Sequence, residues 1–431
     1  MTNEVKIGIA GLGNVGVGVV KILQQQSELL SRRSGATLSI SAVSARSRHT
    51  DRGIDIGAYE WCDDAIDLAR RDDVNVVVEL IGGEDGPARA LVETALANGK
   101  HVVTANKALI ARHGVALAGL AEKNGLALNY EAAVAGGIPI IKALREGLAG
   151  NQFSRVYGIL NGTCNYILTT MEESGRDFAD VLAEAQQLGY AEADPAFDVD
   201  GVDAAHKLAI LTSVAYGCPV DFDAIHVEGI REISAIDIAY AAKLGYRIKL
   251  LGIASKGENG IEQRVHPCLV PEKTPIAKVD GVFNAVVADG DFVDRTVFEG
   301  RGAGEGPTAS AVLADIVDIA RGTILPTFSI PVADMRKQPT ASMADHFGAY
   351  YMRLNVLDVA GVIAEISAIL RDEKVSIESL LQQGRKPGEA VPVVLITHEC
   401  REASMMRVSD AIEALAVTQE RPRLIRMENF E

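Results

Sequence analysis

Val5-Lys6-Ile7-Gly8-Ile9-Ala10-Gly11-Leu12-Gly13-Asn14-Val15-Gly16 decides the architecture of the chain. The apolar run over 5–10 reads as a buried strand, and the glycines at 11, 13 and 16 then open a helix that extends to about Gln26. In a strand–turn–helix of this spacing the first glycine permits the tight turn, the second lets backbone approach a pyrophosphate, and the third packs helix on strand. Amides at the start of the helix meet the phosphate charge. Residues 11–16 (Gly11, Leu12, Gly13, Asn14, Val15, Gly16) are therefore candidate dinucleotide contacts.

Strand-like runs at 38–43, 74–80 and 101–104, with a helical pattern at 87–98, continue the alternation through about residue 130. That pattern predicts right-handed βαβ units and a Rossmann-type, doubly wound parallel sheet over residues 1–130. Residues 131–308 mix helical segments (178–188, 203–216, 234–244) with strands (249–254, 282–287), which predicts an α+β catalytic domain. A helix over 310–321 and the prolines at 326, 331 and 339 make 309–345 a returning helix and linker. In 348–431, strands at 350–356, 375–382, 391–398 and 423–428 alternate with helices at 361–372 and 404–415, giving the βαββαβ order of a ferredoxin-like sandwich.

The chain has 431 residues, 48% hydrophobic and 23% charged, enough for several cores. A formal net charge of −16 argues against nucleic acid or an anionic membrane as partner. Asn3, Glu4 and Val5 follow Met1 and Thr2 without a basic or apolar leader, so secretion is not expected. The longest uncharged stretch, 156–170, falls short of the ~20 apolar residues of a membrane span. The five cysteines are scattered, with no CxxC pair, which fits reduced thiols in the cytoplasm rather than a disulfide frame or zinc site.

The second strand ends Val43-Ser44-Ala45-Arg46-Ser47-Arg48-His49, with no carboxylate before Asp51. A carboxylate there would hold a ribose hydroxyl, whereas Arg46 and Arg48 suit a 2′-phosphate, so NADP is expected, with NAD possible. Thr104 and Lys107 follow the strand at 101–104, at the carboxyl edge where open α/β sheets bind ligands. Residues 188–207 concentrate Glu192, Asp194, Asp198, Asp200, Asp203 and Lys207. Asp203 and Lys207 share a helix face, and apolar residues follow them. A lysine beside a reacting carbon can act as general acid–base, oriented by a carboxylate, while the acidic loop suits a substrate ammonium. His206 points to another face of that helix and reads as structural. The glycine-bent segment 131–139 could turn carbonyls onto a small cation, and 301–308, before a helix, could return to the cofactor.

Across residues 11–16, 104–107, 131–139, 158–165, 188–207 and 302–310 the chain resembles homoserine dehydrogenase of the bacterial, monofunctional type with a C-terminal ACT domain. The resemblance implies NAD(P)-dependent interconversion of L-homoserine and L-aspartate 4-semialdehyde in threonine and methionine biosynthesis, in a homo-oligomer (dimer or tetramer). It implies Lys207 as catalytic acid–base supported by Lys107, and Glu192, Asp198 and Asp203 as substrate-binding residues. Gly189, Gly302 and Gly304 become cofactor contacts. Glu131, Val134, Gly136 and Ile138 become a loop for a monovalent cation, Na+, bound mainly by carbonyl oxygens. Asp358 and Gly361 fall in the loop where ACT domains bind an amino-acid effector, here threonine, although Ala360 replaces the usual proline. Rival readings are another ACT-containing Rossmann dehydrogenase, which would rely on a catalytic histidine, and a non-catalytic amino-acid sensor on the same fold.

Overall fold

The structure, a computed structural model, describes residues 3–382 and 387–430; Met1 and Thr2 lie outside the described residues. The first sheet contains β1 (Asn3–Ala10), β2 (Ala36–Ser44), β3 (Glu60–Trp61), β4 (Val76–Glu79), β5 (His101–Thr104) and β6 (Leu128–Asn129), in the order β3-β2-β1-β4-β5-β6. Every pairing in it is parallel. The order reverses between β1 and β4, which opens a crevice at the carboxyl ends of the strands. All of β4 is buried, so its sequence is a nearly unbroken apolar run rather than an alternation.

The glycines at the turn after β1 are dictated by space. Gly11 has φ +102°, and a Cβ there would stand 2.4 Å from the Leu80 carbonyl oxygen. A Cβ at Gly16 would stand 2.0 Å from the oxygen of Gly11.

The second sheet contains β7 (Phe153–Ile159), β8 (His226–Val227), β9 (Tyr246–Gly257), β10 (Gly260–Pro271), β11 (Phe283–Gly290), β12 (Asp294–Arg301), β13 (Phe347–Leu357), β14 (Ile377–Gln382), β15 (Ala390–Thr397), β16 (Cys400–Arg401) and β17 (Arg423–Met427). Its path is β12-β11-β7-β9-β10-β17-β13-β15-β14. The last four strands, with helices Val362–Asp372 and Glu402–Glu413, form the expected βαββαβ layer over a core of their own. They do not form an isolated sheet. β17 pairs in parallel with β10, Arg426 opposite Cys268 and Met427 opposite Leu269. Largely buried ion pairs reinforce that seam: Arg426 joins Glu402 to half-exposed Glu228, Arg264 joins Glu428, and Arg353 joins Asp237.

Most expected elements are present with ends moved by a few residues. The returning helix begins earlier than expected, at Glu305–Ala320, and shares a core with β1, β4 and β5. It lies so close to helix Asn14–Gln25 that a Cβ on Gly18 would meet the Glu305 carbonyl at 2.8 Å. β7, β10 and β12 were not anticipated, nor were helices Lys107–Lys123 and Gly162–Ser174.

The proline-rich segment after the returning helix is not a free tether. Phe328 is completely buried, with its ring against Gly114, and Tyr130 donates its hydroxyl to the Thr327 carbonyl at 2.7 Å. Pro339 accepts from the Ile261 amide at 2.8 Å. All five cysteines are free and buried. No helix of the described residues is long and apolar enough to cross a membrane.

Phe328→Ala should lower unfolding free energy by about 3–5 kcal/mol, because the pocket between helix Lys107–Lys123 and Tyr130 cannot collapse around the lost ring. Chemical denaturation checks this, and a change below about 1 kcal/mol would mean the segment is only loosely docked.

Candidate active site

Helix Val202–Tyr216 carries the centre of the site. Gly201 precedes it in the left-handed region at φ +84°, and Asp203 and Lys207 follow one turn apart. Both are buried, at 4% and 9% exposure. Lys207 Nζ donates to Asp203 Oδ2 at 2.6 Å and to the Leu160 carbonyl at 2.7 Å. The other carboxylate oxygen, Oδ1, lies 3.1 Å from Lys107 Nζ. One buried carboxylate thus holds two ammonium groups from two different parts of the chain.

Lys107 is placed by a network at the carboxyl edge of the first sheet. Buried Glu79, at the end of β4, accepts the amides of Ile81 and Gly82 on one oxygen and the Thr104 hydroxyl on the other, at 2.6 Å. Thr104 Oγ1 accepts from the Asn106 amide, and Asn106 caps helix Lys107–Lys123 by accepting from Leu109 N while donating to the Gly83 carbonyl. The Thr104 side chain is therefore consumed in holding the strand end.

Asn161 is the residue that sequence reasoning missed. It caps helix Gly162–Ser174 by accepting from Cys164 N at 2.8 Å. Its amide nitrogen donates to both Asp203 and Asp198, each at 2.8 Å. Its available signal was an asparagine standing before a helical run, the usual N-cap pattern.

Charges follow from these contacts. Burial alone would raise the Asp203 pKa, but Lys207 and then Lys107, with hydrogen bonds from Lys207 and Asn161, hold it well below the usual carboxylate range. Its stabilising contribution is thus present above the ordinary unfolded value of ~3.9 and is lost only as pH falls through the lower folded one. Burial raises Asp198, partly offset by Asn161.

The remaining candidates divide. Glu192 is exposed, and among the described residues no hydrogen bond or ion pair brings its carboxylate to the lysines. Gly189, at φ +76°, is also exposed, at the end of the same acidic loop. Arg46 and Arg48 project from the loop after β2, with Arg48 6.0 Å from the Trp61 ring centre. That loop is tied to the glycine turn by Arg52, which donates to the carbonyls of Leu12 and Thr50 at 3.1 and 2.9 Å.

The segments 131–138 and 301–304 meet: a Cβ on Gly136, itself at φ +50°, would stand 2.3 Å from the Gly302 carbonyl. Gly137 donates to the Arg301 carbonyl at 3.0 Å. Glu131 is buried, its carboxylate accepting the amides of Ile141 and Lys142, each at 2.9 Å, so the side chain shapes the loop. Burial and then Asp315 push its pKa up to about 7. Among the described hydrogen bonds none ends on the carbonyls of Val134 or Gly136, whereas that of Ile138 accepts from Ile140 N at 2.8 Å. In the C-terminal layer, exposed Gly361, at φ +101°, starts helix Val362–Asp372, and Asp358 pairs backbone with Glu389 and Gly388 in the preceding loop.

Residues 139–317 match the family profile described as homoserine dehydrogenase, and residues 11–131 match that of the homoserine dehydrogenase NAD-binding domain. The chain belongs to the homoserine dehydrogenase family. It is accordingly an NAD(P)-dependent oxidoreductase acting on a CH–OH group. The homoserine dehydrogenase of Neisseria gonorrhoeae is 47% identical, over 99% of each chain. A solved homoserine dehydrogenase from Thiobacillus denitrificans superposes with TM-score 0.94 at 44% identity, covering 99% of both chains. A hyperthermophilic archaeal homoserine dehydrogenase, solved with NADPH, superposes with TM-score 0.64 at 30% identity and covers 75% of this chain but 99% of its own.

The glycine turn fits a dinucleotide: Gly13 is exposed, and a Cβ built on it meets no atom within 4 Å, while its φ of −78° suits any residue. Gly13→Ala should therefore leave the thermal midpoint of the free protein unchanged. Its affinity for the dinucleotide should fall at least about tenfold, because only the cofactor's backbone approach needs that space. Equal affinities in the two proteins would contradict the fit.

Proposed function

We propose that Lys207 and Lys107 carry the interconversion of L-homoserine and L-aspartate 4-semialdehyde in this chain. The supporting observation is that Asp203, almost wholly buried, holds both ammonium groups within 3.1 Å. The dinucleotide, when bound, donates or accepts the hydride. Lys207 spends two of its three N–H donors on Asp203 and Leu160, which leaves one for the substrate oxygen. That donor delivers a proton to the aldehyde oxygen in reduction and receives it in oxidation. Lys107 adds positive charge where the oxygen becomes negative. Asp198, half-buried and held by Asn161, supports recognition of the substrate ammonium. Glu192 is assigned to the same task on the acidic loop and must move inward to perform it.

For the cofactor we favour NADP, with Arg46 and Arg48 gripping the 2′-phosphate and Gly189, Gly302 and Gly304 lining the path to the nicotinamide. Leu12, Asn14 and Val15 complete the phosphate turn with its glycines. The archaeal relative solved with NADPH is consistent with this preference. The free carbonyls of Val134 and Gly136, beside Glu131 and Ile138, suit a hard monovalent cation such as Na+, which would pin segments 131–138 and 301–304 together.

Residues 348–431 are assigned to a regulatory ACT domain, with threonine as effector at the loop of Asp358 and Gly361. The bridge Glu402–Arg426–Glu228, buried at Glu402 and Arg426, supports a route from that unit to the site. Ile230 N donates at 2.8 Å to the carbonyl of Val199, the last residue of the short helix that carries Asp198. The enzyme is placed in the cytoplasm, in threonine and methionine biosynthesis. It is assigned as a homo-oligomer whose second copy covers the open edge at β12, where Phe292 is 84% exposed.

Lys207→Ala should lower turnover by about 100- to 10,000-fold while dinucleotide affinity changes little. Near-native turnover in the folded variant defeats the assignment. Replacing Arg46 and Arg48 together by alanine should raise KM for NADPH roughly 10- to 100-fold and spare NADH, as expected for lost charge-assisted hydrogen bonds. Equal changes for both cofactors would return the arginines to solvent. Threonine, titrated into either assay, should inhibit; no effect on activity or on oligomeric state would remove the effector role.

A further inference from the structure

His206 stands between Asp203 and Lys207 on their helix, 5% exposed, and neither of its ring nitrogens has a hydrogen-bond partner among the described residues. A buried imidazole ordinarily spends at least one nitrogen. What this one does make is contact with two aromatic rings, both near parallel to it. Its ring lies 4.4 Å from that of Phe222 at 17° and 5.6 Å from that of Phe197 at 28°. A cation lies over each of those two rings. The Lys107 ammonium lies 5.5 Å from the Phe197 ring centre, and the Arg112 guanidinium lies 4.4 Å from that of Phe222.

Both cations come from helix Lys107–Lys123, which follows the last long strand of the first sheet, whereas all three rings come from residues 197–222. The helix thus clasps the stack at two points. Arg112 is fixed by Asp223 at 2.9 Å and by Glu84 at 3.6 Å. Lys107 has Asp203 as its ion-pair partner, so the Phe197 ring is the second surface that defines where its ammonium can lie. Phe197 itself is 44% exposed on the four-residue helix Ala196–Val199, and the His206 ring is what backs it from the interior.

We propose that His206 is a positioning residue: its ring serves as a flat spacer that holds Phe197 beneath the Lys107 ammonium and so aims that lysine at the reacting oxygen. This rests on the assignment of Lys107 to the reaction given above. The geometry requires the neutral ring. A proton on His206 would set a third cation between Lys107 and Arg112, with Asp203 and Glu84 as the nearby counter-charges. Burial and then Lys107 hold its pKa below the ordinary value, in keeping with that requirement. A spacer uses the plane of the ring and neither nitrogen, which separates it from a histidine that shuttles protons.

The test is a set of variants assayed for homoserine oxidation. His206→Ala should lower kcat at least tenfold with little change in dinucleotide KM, and His206→Phe should recover most of that loss. In a Lys107→Ala background His206→Ala should cost little more, since two changes acting through one lysine are not additive. If His206→Ala does not fold, Phe197→Leu, at a half-exposed position, removes the same ring contact and should give the same loss and the same non-additivity. A His206→Phe enzyme as slow as His206→Ala, or losses that multiply fully with Lys107→Ala, would overturn the proposal. Native turnover in Lys107→Ala alone would overturn the lysine assignment instead, and the spacer role with it.

Discussion

An aspartate buried to 4% exposure pays a large desolvation cost unless cations meet it, and Asp203 meets two. The rest of the site follows from that constraint. Lys207 reaches the carboxylate from the same helix one turn on, Lys107 arrives from the edge of the first sheet, and Asn161 arrives from the end of β7. Removing any one of these partners leaves a buried charge without its full complement. The two domains are therefore held in register by electrostatics at their most chemically sensitive point, and the lysines are ordered before any substrate enters.

The same economy governs the surroundings. Glu79 on the sheet side organises the residues that launch Lys107, and Asn161 on the catalytic side organises those beside Lys207. Each polar side chain answers both a backbone need at a helix or strand end and a side-chain need in the site. Capping and the ordering of the candidate site are thus carried by one set of bonds.

Legibility in the sequence tracked burial pattern. β1, its glycine turn and the following helix were readable because a buried parallel strand is mainly apolar and glycine is the only residue that fits at 11 and 16. β10 was not, because Gln263, Arg264 and His266 interrupt its apolar pattern; they are buried, and Arg264 is satisfied by Glu428, far away in sequence. β12 escaped for the opposite reason: as an edge strand it is largely exposed. In the site, Asp203 and Lys207 were visible through their i,i+4 spacing and Lys107 through its place after a strand. Asn161 and the Leu160 carbonyl were not, since their roles come from contacts across 37 to 47 residues, nor was Phe197, whose ring meets the Lys107 ammonium from a distant part of the chain.

The parallel pairing of β17 with β10 has a consequence for how this fold can be built and rebuilt. A ferredoxin-like layer appended by a flexible tether could be gained or lost by cutting the tether. Here the final strand of the chain lies within the path of the second sheet, and its departure would bare strand edge together with Arg264 and Glu228, whose partners Glu428 and Arg426 would leave with it. Modularity at the level of domains gives way to interdependence at the level of one strand, and the second sheet is closed only once β17 is in place.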